Sequence, residues 1–373
     1  MARIVQAANF VAPHSGGIRT ALEQLARGYA AAGHEVVQVV PADRPAVERT
    51  AWGARIALPG LPVPGTGYRL LDVRAVTRLV EDIAPDRLEV HDRSTLRGLG
   101  RWARRRGVPA LVVSHERLDR VLGEWLPPRL VGHRLPDRDN AALAAGFDTV
   151  VCTTAWAAEE FVRLGVDNLR HVPLGVDLAR FKPSAADPFL RSWLAPDGRP
   201  LVAMVSRLSR EKRPELAVHA AAELARRGYR VNLVIAGAGP VRGRLERRAV
   251  GLPVAFLGHV PTEDVARLLA SVDVVLAPGP VETFGLAALE ALASGTPVVA
   301  NAASAVREVL GSAGVVAPGT PAGFADGVRE LLARPPVQRR VAARDRAERY
   351  DWAATVDGFL AAHGLADEAV RAA

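Results

Sequence analysis

Apolar residues fall along the chain in short β-rich runs, separated by stretches in which they recur at helical spacing. In the first half, "RIVQAANF" (3–10), "EVVQVV" (35–40), "RLEVHD" (87–92), "ALVVSHE" (110–116) and "DTVVCT" (148–153) predict strands. Helices are predicted over Thr20–Ala32 and through "LRGLGRWARRR" (96–106). The second half repeats the rhythm with "PLVAMVSRL" (200–208), "VNLVIAGAG" (231–239), "VAFLG" (254–258), "VDVVLAP" (272–278), "TPVVAN" (296–301) and "AGVVAP" (313–318). Its helical stretches are Arg213–Arg227, Arg242–Arg248, Thr262–Ser271, Gly285–Ser294 and Ala305–Leu310. Apolar strands alternating with helices argue for parallel, doubly wound sheets. Two such series predict an α/β chain of two Rossmann-like domains, residues 1–176 and 177–350. They join near "HVPLGVDLARFKPSAAD", where Pro173, Gly175, Pro183 and Pro188 interrupt regular structure. A further amphipathic helix is predicted in "DWAATVDGFLAAHG" (351–364), capping the second domain on the plainest reading.

Composition narrows the class. The 373 residues suffice for two domains, and 49% hydrophobic with 24% charged residues is ordinary for a globular protein. The start, "MARIVQAANFV", enters a strand with no charged-then-apolar leader, and no apolar run reaches about 18 residues. A cytoplasmic protein is expected. The single cysteine, Cys152, excludes an internal disulfide, and its apolar neighbours predict a core thiol. The net charge of +8 is spread evenly: residues 1–176 hold 23 basic and 19 acidic side chains, residues 177–373 hold 25 and 21. No basic tail or RNA-type aromatic motif accompanies it, so nucleic acid is not an expected partner. Almost all the positive charge is arginine, and the only lysines are Lys182 and Lys212.

Four segments offer chemistry. In "AGAGPVRGRLE", Gly237, Gly239 and Gly243 are spaced one residue too far for a dinucleotide fingerprint, and a strand-to-helix turn explains them as well as phosphate contact. "PDRDN" offers Asp137 and Asp139 as metal ligands, but its Pro- and Arg-rich setting predicts a solvated loop, and no metal is expected. "PHSGGIRT" places Gly16 and Gly17 between the first strand and its helix, where backbone can approach an anion. "VSRLSREKRPE" puts Arg207 and Lys212 after the first strand of the second domain, at the edge where open α/β sheets bind ligands.

The segment "VLAPGPVETFGLAALEALASG" holds Glu282 in a loop and Glu290, after seven intervening residues, inside an almost wholly apolar helix. A charge there needs a partner. One candidate is a core arginine. The other is a ligand: two carboxylates accepting from ribose and sugar hydroxyls, beside helix-start amides that suit phosphate. With Arg207 and Lys212 available for a diphosphate, the pattern favours a nucleotide-sugar site.

At these residues the chain resembles the family-4 retaining glycosyltransferases, which have the two-Rossmann GT-B fold. The motif of Glu, seven residues and Glu is accompanied by "SGG", "SRLSREK", "LVIAGAGP" and "FLGHV" in the expected order, so the resemblance spans the chain. "SGGIRTALEQL", "LEVHDRSTLRGLGRWARRRGV", "SHERLDR" and "VPLGVDL" are similar to the actinobacterial phosphatidylinositol-mannoside mannosyltransferases. The resemblance implies two domains facing a cleft, with a C-terminal helix (about 351–373) crossing back to the first. It implies GDP-mannose as donor, a mannosylated phosphatidylinositol lipid as acceptor, and no metal or other cofactor.

Carried over residue by residue, Gly16 and Gly17 lie against the donor diphosphate, and Arg207 and Lys212 bind its oxygens. Glu282 holds hydroxyls of the moving sugar, with the amides of Phe284, Gly285 and Leu286 beside it. Glu290 takes the ribose diol. Gly237 and the backbone of His259 and Val260 face the nucleotide, and His115 stands near the donor sugar. Two rivals remain at this point: a UDP-sugar enzyme with a soluble acceptor such as inositol phosphate, and a non-catalytic nucleotide-sugar-binding protein. A lipid acceptor also predicts peripheral contact with an anionic membrane. Arg97, Arg101, Arg104 and Arg105 line one predicted helical face, with Trp102 and nearby leucines as apolar area and a second basic stretch in "LDRVLGEWLPPRLVGHRL".

Overall fold

Each predicted apolar run becomes a strand, and the central strands are buried on both faces. The computed structural model describes residues 1–11, 16–64, 68–120 and 134–366. Two compact units emerge, Met1–Gly175 with Trp352–Ala373, and Val176–Asp351.

The strands of unit 1 are β1 (Arg3–Ala7), β2 (Glu35–Ala42), β3 (Ala46–Thr50), β4 (Gly53–Pro59), β5 (Leu61–Pro62), β6 (Arg69–Leu70), β7 (Arg87–Val90), β8 (Ala110–Ser114), β9 (Thr149–Cys152) and β10 (Leu169–His171). Eight of them form one sheet in the order β10-β9-β8-β7-β1-β2-β4-β3. All its pairings are parallel except the β3–β4 edge hairpin. Ile4, Val5 and Ala7 of β1 are fully buried, as a central parallel strand requires. Helix α1 (Gly17–Ala31) covers the sheet with Ala21, Leu22, Leu25, Ala26 and Tyr29, one face at helical spacing. The edge hairpin was not foreseen. Ala46 to Arg49 are exposed, so no apolar alternation marks β3 in the sequence.

Unit 2 holds β11 (Leu201–Val205), β12 (Asn232–Ala236), β13 (Val254–Gly258), β14 (Val274–Ala277), β15 (Val298–Asn301) and β16 (Val315–Ala317). They pair in parallel in the order β13-β12-β11-β14-β15-β16. The order reverses direction between β11 and β14. In doubly wound sheets ligands bind at the carboxyl ends of the strands beside that switch point. The loops that carry Arg207, Lys212 and Glu282 leave from there.

Two readings drawn from the residues alone need adjustment, and one holds. "PDRDN" is not a solvated loop: it lies inside a helix, Arg134–Ala144, in which Asp137 pairs with Arg163 and Asp139 with Arg97. Those arginine pairs stabilise the helix that the Pro- and Arg-rich composition concealed. The closing helix, Trp352–Ala362, belongs to unit 1, as the resemblance implies, and does not cap unit 2 as its own residues alone suggested. Thr355 Oγ1 donates to Pro173 O at 2.9 Å, and Arg87 Nε donates to His363 O at 2.8 Å. Cys152 is fully buried as expected, and burial pushes its thiol up to about 12, so it is a core group.

Candidate active site

In unit 2 the loop after β11 is fastened to the loop after β12. Leu208 N donates to Ala238 O at 2.9 Å and Val241 N to Leu208 O at 3.2 Å. Gly237 has φ +148°, and a Cβ there would stand 1.8 Å from Ser206 O. Only glycine allows that approach. The glycine turn thus seats the Arg207 loop, which is the structural reading of "AGAGP". Gly237 N also donates to Gly258 O at 2.6 Å, next to His259, which is exposed, and Val260, which is half-buried.

Arg207 and Lys212, the two cations of this loop singled out in the sequence, are already engaged. Lys212 Nζ bonds Glu282 Oε1, each side chain 24% exposed. Arg207 Nη2 meets Glu211 Oε1 at 3.1 Å, and the Ser209 hydroxyl donates to the same oxygen at 2.5 Å. Glu211 went unnoticed in the sequence, where it reads as one charge in a mixed run. The structure makes it an internal anion on Arg207.

Glu282 sits in the loop between β14 and helix α2 (Leu286–Ala293), and its carbonyl accepts from Ala305 N at 2.9 Å. Asn301 Nδ2 pins the same loop by donating to Pro278 O at 2.9 Å. Phe284 is buried, edge-on to Tyr350 with ring centroids 6.0 Å apart. Gly285 then starts α2 at φ +89°, a left-handed turn in which a Cβ would stand 2.6 Å from Val306 Cγ2. Tight anchoring on both sides fixes the direction of the first amides of α2, which by geometry lack intrahelical acceptors.

Glu290 lies one turn into α2. The core-arginine pairing is not realised: among the described residues its carboxylate has no ion pair or hydrogen bond, and Arg180 acts on it only through its field. Burial pushes its carboxyl up to about 8. A half-buried carboxylate of this kind, with no donor from the described residues, is left to solvent or to a ligand.

In unit 1, Gly16 and Gly17 are exposed at the start of α1, while Ala12–Ser15 lie outside the described residues. His115 follows β8, and burial takes its pKa down to about 3, so its imidazole is neutral. Its Nε2 is 2.8 Å from His91 Nδ1.

The predicted membrane face is reduced. Trp102, Leu96 and Leu99 are buried, with Trp102 Nε1 donating to Glu81, so they add no apolar surface. Arg97 is occupied by Asp139, leaving Arg101, Arg104 and Arg105 exposed. Most of the second basic stretch lies outside the described residues. Among those described, no helix is long and apolar enough to cross a membrane, and no cluster of three or more His, Cys, Asp or Glu could hold a metal.

Comparison with known proteins settles the family. The profile of glycosyl transferase 4-like domains matches residues 16–176, and that of glycosyl transferases group 1 matches residues 187–349. The chain belongs to the family-4 glycosyltransferases. It is 47% identical over 366 residues to a GDP-mannose-dependent alpha-(1-6)-phosphatidylinositol dimannoside mannosyltransferase of Mycobacterium tuberculosis, spanning 97% of this chain and 96% of that protein. A D-inositol 3-phosphate glycosyltransferase of Nocardia farcinica is 34% identical, over 69% of this chain and 66% of that protein. In fold, the chain matches sucrose-phosphate synthase of Thermosynechococcus elongatus with a TM-score of 0.80 at 21% identity, covering 100% of both chains. The glycosyltransferase has the GT-B fold.

Proposed function

We propose that this glycosyltransferase moves mannose from GDP-mannose to a phosphatidylinositol-mannoside glycolipid, with retention at the transferred carbon. The observation that carries the reading is Glu290, a shielded carboxylate without a protein partner, on the helix that follows Glu282. A ribose diol supplies the two donors that it lacks. The 47% identity to a GDP-mannose-dependent phosphatidylinositol dimannoside mannosyltransferase supports the donor and the acceptor class.

In this reading the diphosphate displaces Glu211 from Arg207 and Glu282 from Lys212, so that both cations turn to its oxygens. Released from Lys212, Glu282 accepts from hydroxyls of the mannose, beside the amides of Phe284, Gly285 and Leu286. Gly16 and Gly17 approach the diphosphate, and Gly237, His259 and Val260 face the nucleotide. His115 meets the mannose.

As the glycosidic bond breaks, charge accumulates on the departing diphosphate, and Arg207 and Lys212 stabilise it. A diphosphate oxygen on the same face takes the proton of the attacking hydroxyl, which gives retention without a protein nucleophile. No metal is required for this route. The enzyme meets its lipid peripherally, with Arg101, Arg104 and Arg105 on the anionic surface.

Incubation with GDP-mannose, UDP-sugars and a mycobacterial-type lipid extract, followed by mass analysis, tests the proposal. A lipid gaining one hexose with GDP-mannose alone is the expected result. Turnover of UDP-sugars on inositol phosphate, without lipid, would replace it with the soluble-acceptor reading.

A further inference from the structure

Near the centre of unit 1 a single carboxylate anchors a row of histidines. Glu89 of β7 is fully buried and receives four donors. Gln6 Nε2 at 2.7 Å and His91 Nε2 at 2.6 Å reach Oε1. The Tyr29 hydroxyl at 2.7 Å and His363 Nε2 at 2.9 Å reach Oε2. Burial alone would raise its pKa, but the bonds from His363 and His91 outweigh it and hold the carboxyl well below the usual range. Glu89 is therefore ionised and can only accept. From His91 the row continues: its Nδ1 lies 2.8 Å from His115 Nε2, with ring centroids 5.1 Å apart. Three imidazoles and one carboxylate thus connect the end of the closing helix to the residue that follows β8.

Proton positions along this row are not independent. Glu89 has no proton to give, so His91 Nε2 must carry one. At a pH where each imidazole carries one proton, His91 Nδ1 is bare and accepts. His115 Nε2 must donate to it, which leaves no proton on His115 Nδ1. We propose that Glu89 is a positioning residue that sets the tautomer of His115 through His91, so that any group meeting His115 at Nδ1 must be a hydrogen-bond donor. A sugar hydroxyl is such a group, and this consequence rests on the contact between His115 and mannose proposed above. His363 bonds the same carboxylate, so the seat of the closing helix and the tautomer of His115 share one anchor.

Nitrogen NMR of the full chain, labelled in its histidine rings, reads the tautomer directly. The wild-type spectrum should show His115 protonated at Nε2. In Glu89→Gln the neutral amide no longer compels His91 Nε2 to donate, and an Nδ1-protonated population of His115 should appear. With it, kcat/KM for GDP-mannose should fall about tenfold, the scale of one misplaced hydrogen bond, while GDP, which lacks the sugar, binds as before. Tyr29→Phe removes a donor but keeps the carboxylate, so the tautomer should be unchanged. A wild-type His115 protonated at Nδ1 overturns the proposal, and that spectrum decides even if Glu89→Gln fails to fold. A tautomer unaltered in Glu89→Gln overturns it too. Full turnover in His115→Ala would instead overturn the mannose contact, while the relay is judged on the spectra.

Discussion

Titrating GDP into the enzyme at a series of pH values probes Glu290 directly. Burial pushes its carboxyl up to about 8 in the free chain, with only partial opposition from Arg180. At pH 7 such a group is about nine-tenths protonated. Two ribose hydroxyls donating to it favour the ionised form, so binding draws the pKa back towards its ordinary 4.5. About 0.9 proton should then leave for each GDP bound at pH 7. Affinity should rise with pH, by up to about tenfold per unit between the bound and free values, and level off above about 8.

The effect on folding has the opposite sign. A raised native pKa stabilises the chain fully below the unfolded value of 4.5, and that contribution is lost as the pH rises through about 8. GDP should accordingly protect against unfolding more at pH 8 than at pH 6. Calorimetry in two buffers of different ionisation enthalpy measures the released proton. The terminal phosphate of GDP titrates near pH 6 as well, so the quantity to compare is the difference between wild type and Glu290→Gln. The variant should bind GDP more weakly and lose the excess proton release. Wild-type affinity in Glu290→Gln, or equal proton release in both proteins, would remove the ribose from Glu290.

Lys212→Ala should lower kcat/KM by about tenfold or more, some 1.4 kcal/mol of leaving-group stabilisation, and unchanged turnover would take Lys212 out of the site. Glu282→Gln should impair mannose transfer while GDP affinity holds or rises, since Lys212 is no longer neutralised; weaker GDP binding would contradict its assignment to the sugar. Gly285→Ala should cost about 2–4 kcal/mol in denaturant unfolding, from left-handed backbone strain and the clash with Val306, and a loss below about 1 kcal/mol would refute the packing argument. Liposome flotation should show binding to phosphatidylinositol-containing vesicles that salt reverses and that charge removal at Arg101, Arg104 and Arg105 weakens; equal binding to neutral vesicles would exclude this electrostatic contact.

How far the sequence could be read depended on how local each cause was. The strand series of unit 2 was legible because β11 to β16 are apolar runs whose burial is dictated by the sheet itself. Glu282 and Glu290 were legible because both lie on one loop and helix, where a charge in an apolar stretch is conspicuous. Placement of the closing helix was not legible from its own residues. It is set by long-range partners, Thr355 with Pro173 and His363 with Glu89 and Arg87, that no periodicity records.

The same reasoning explains why Glu89 escaped notice while Glu290 did not. Glu89 stands two residues before His91 in "LEVHD", where alternation along a strand permits a polar residue without comment. Its four donors come from β1, α1, the residue after β7 and the residue beyond the closing helix, sequence separations from 2 to 274. A buried charge satisfied entirely by the protein is held fast and is spent on positioning its neighbours. Glu290 is only half-buried and receives no donor from the described residues, which is why the proposed function assigns it to a ligand. Sequence can show that a carboxylate is buried. Whether it serves the fold or the substrate is decided by the donors that reach it.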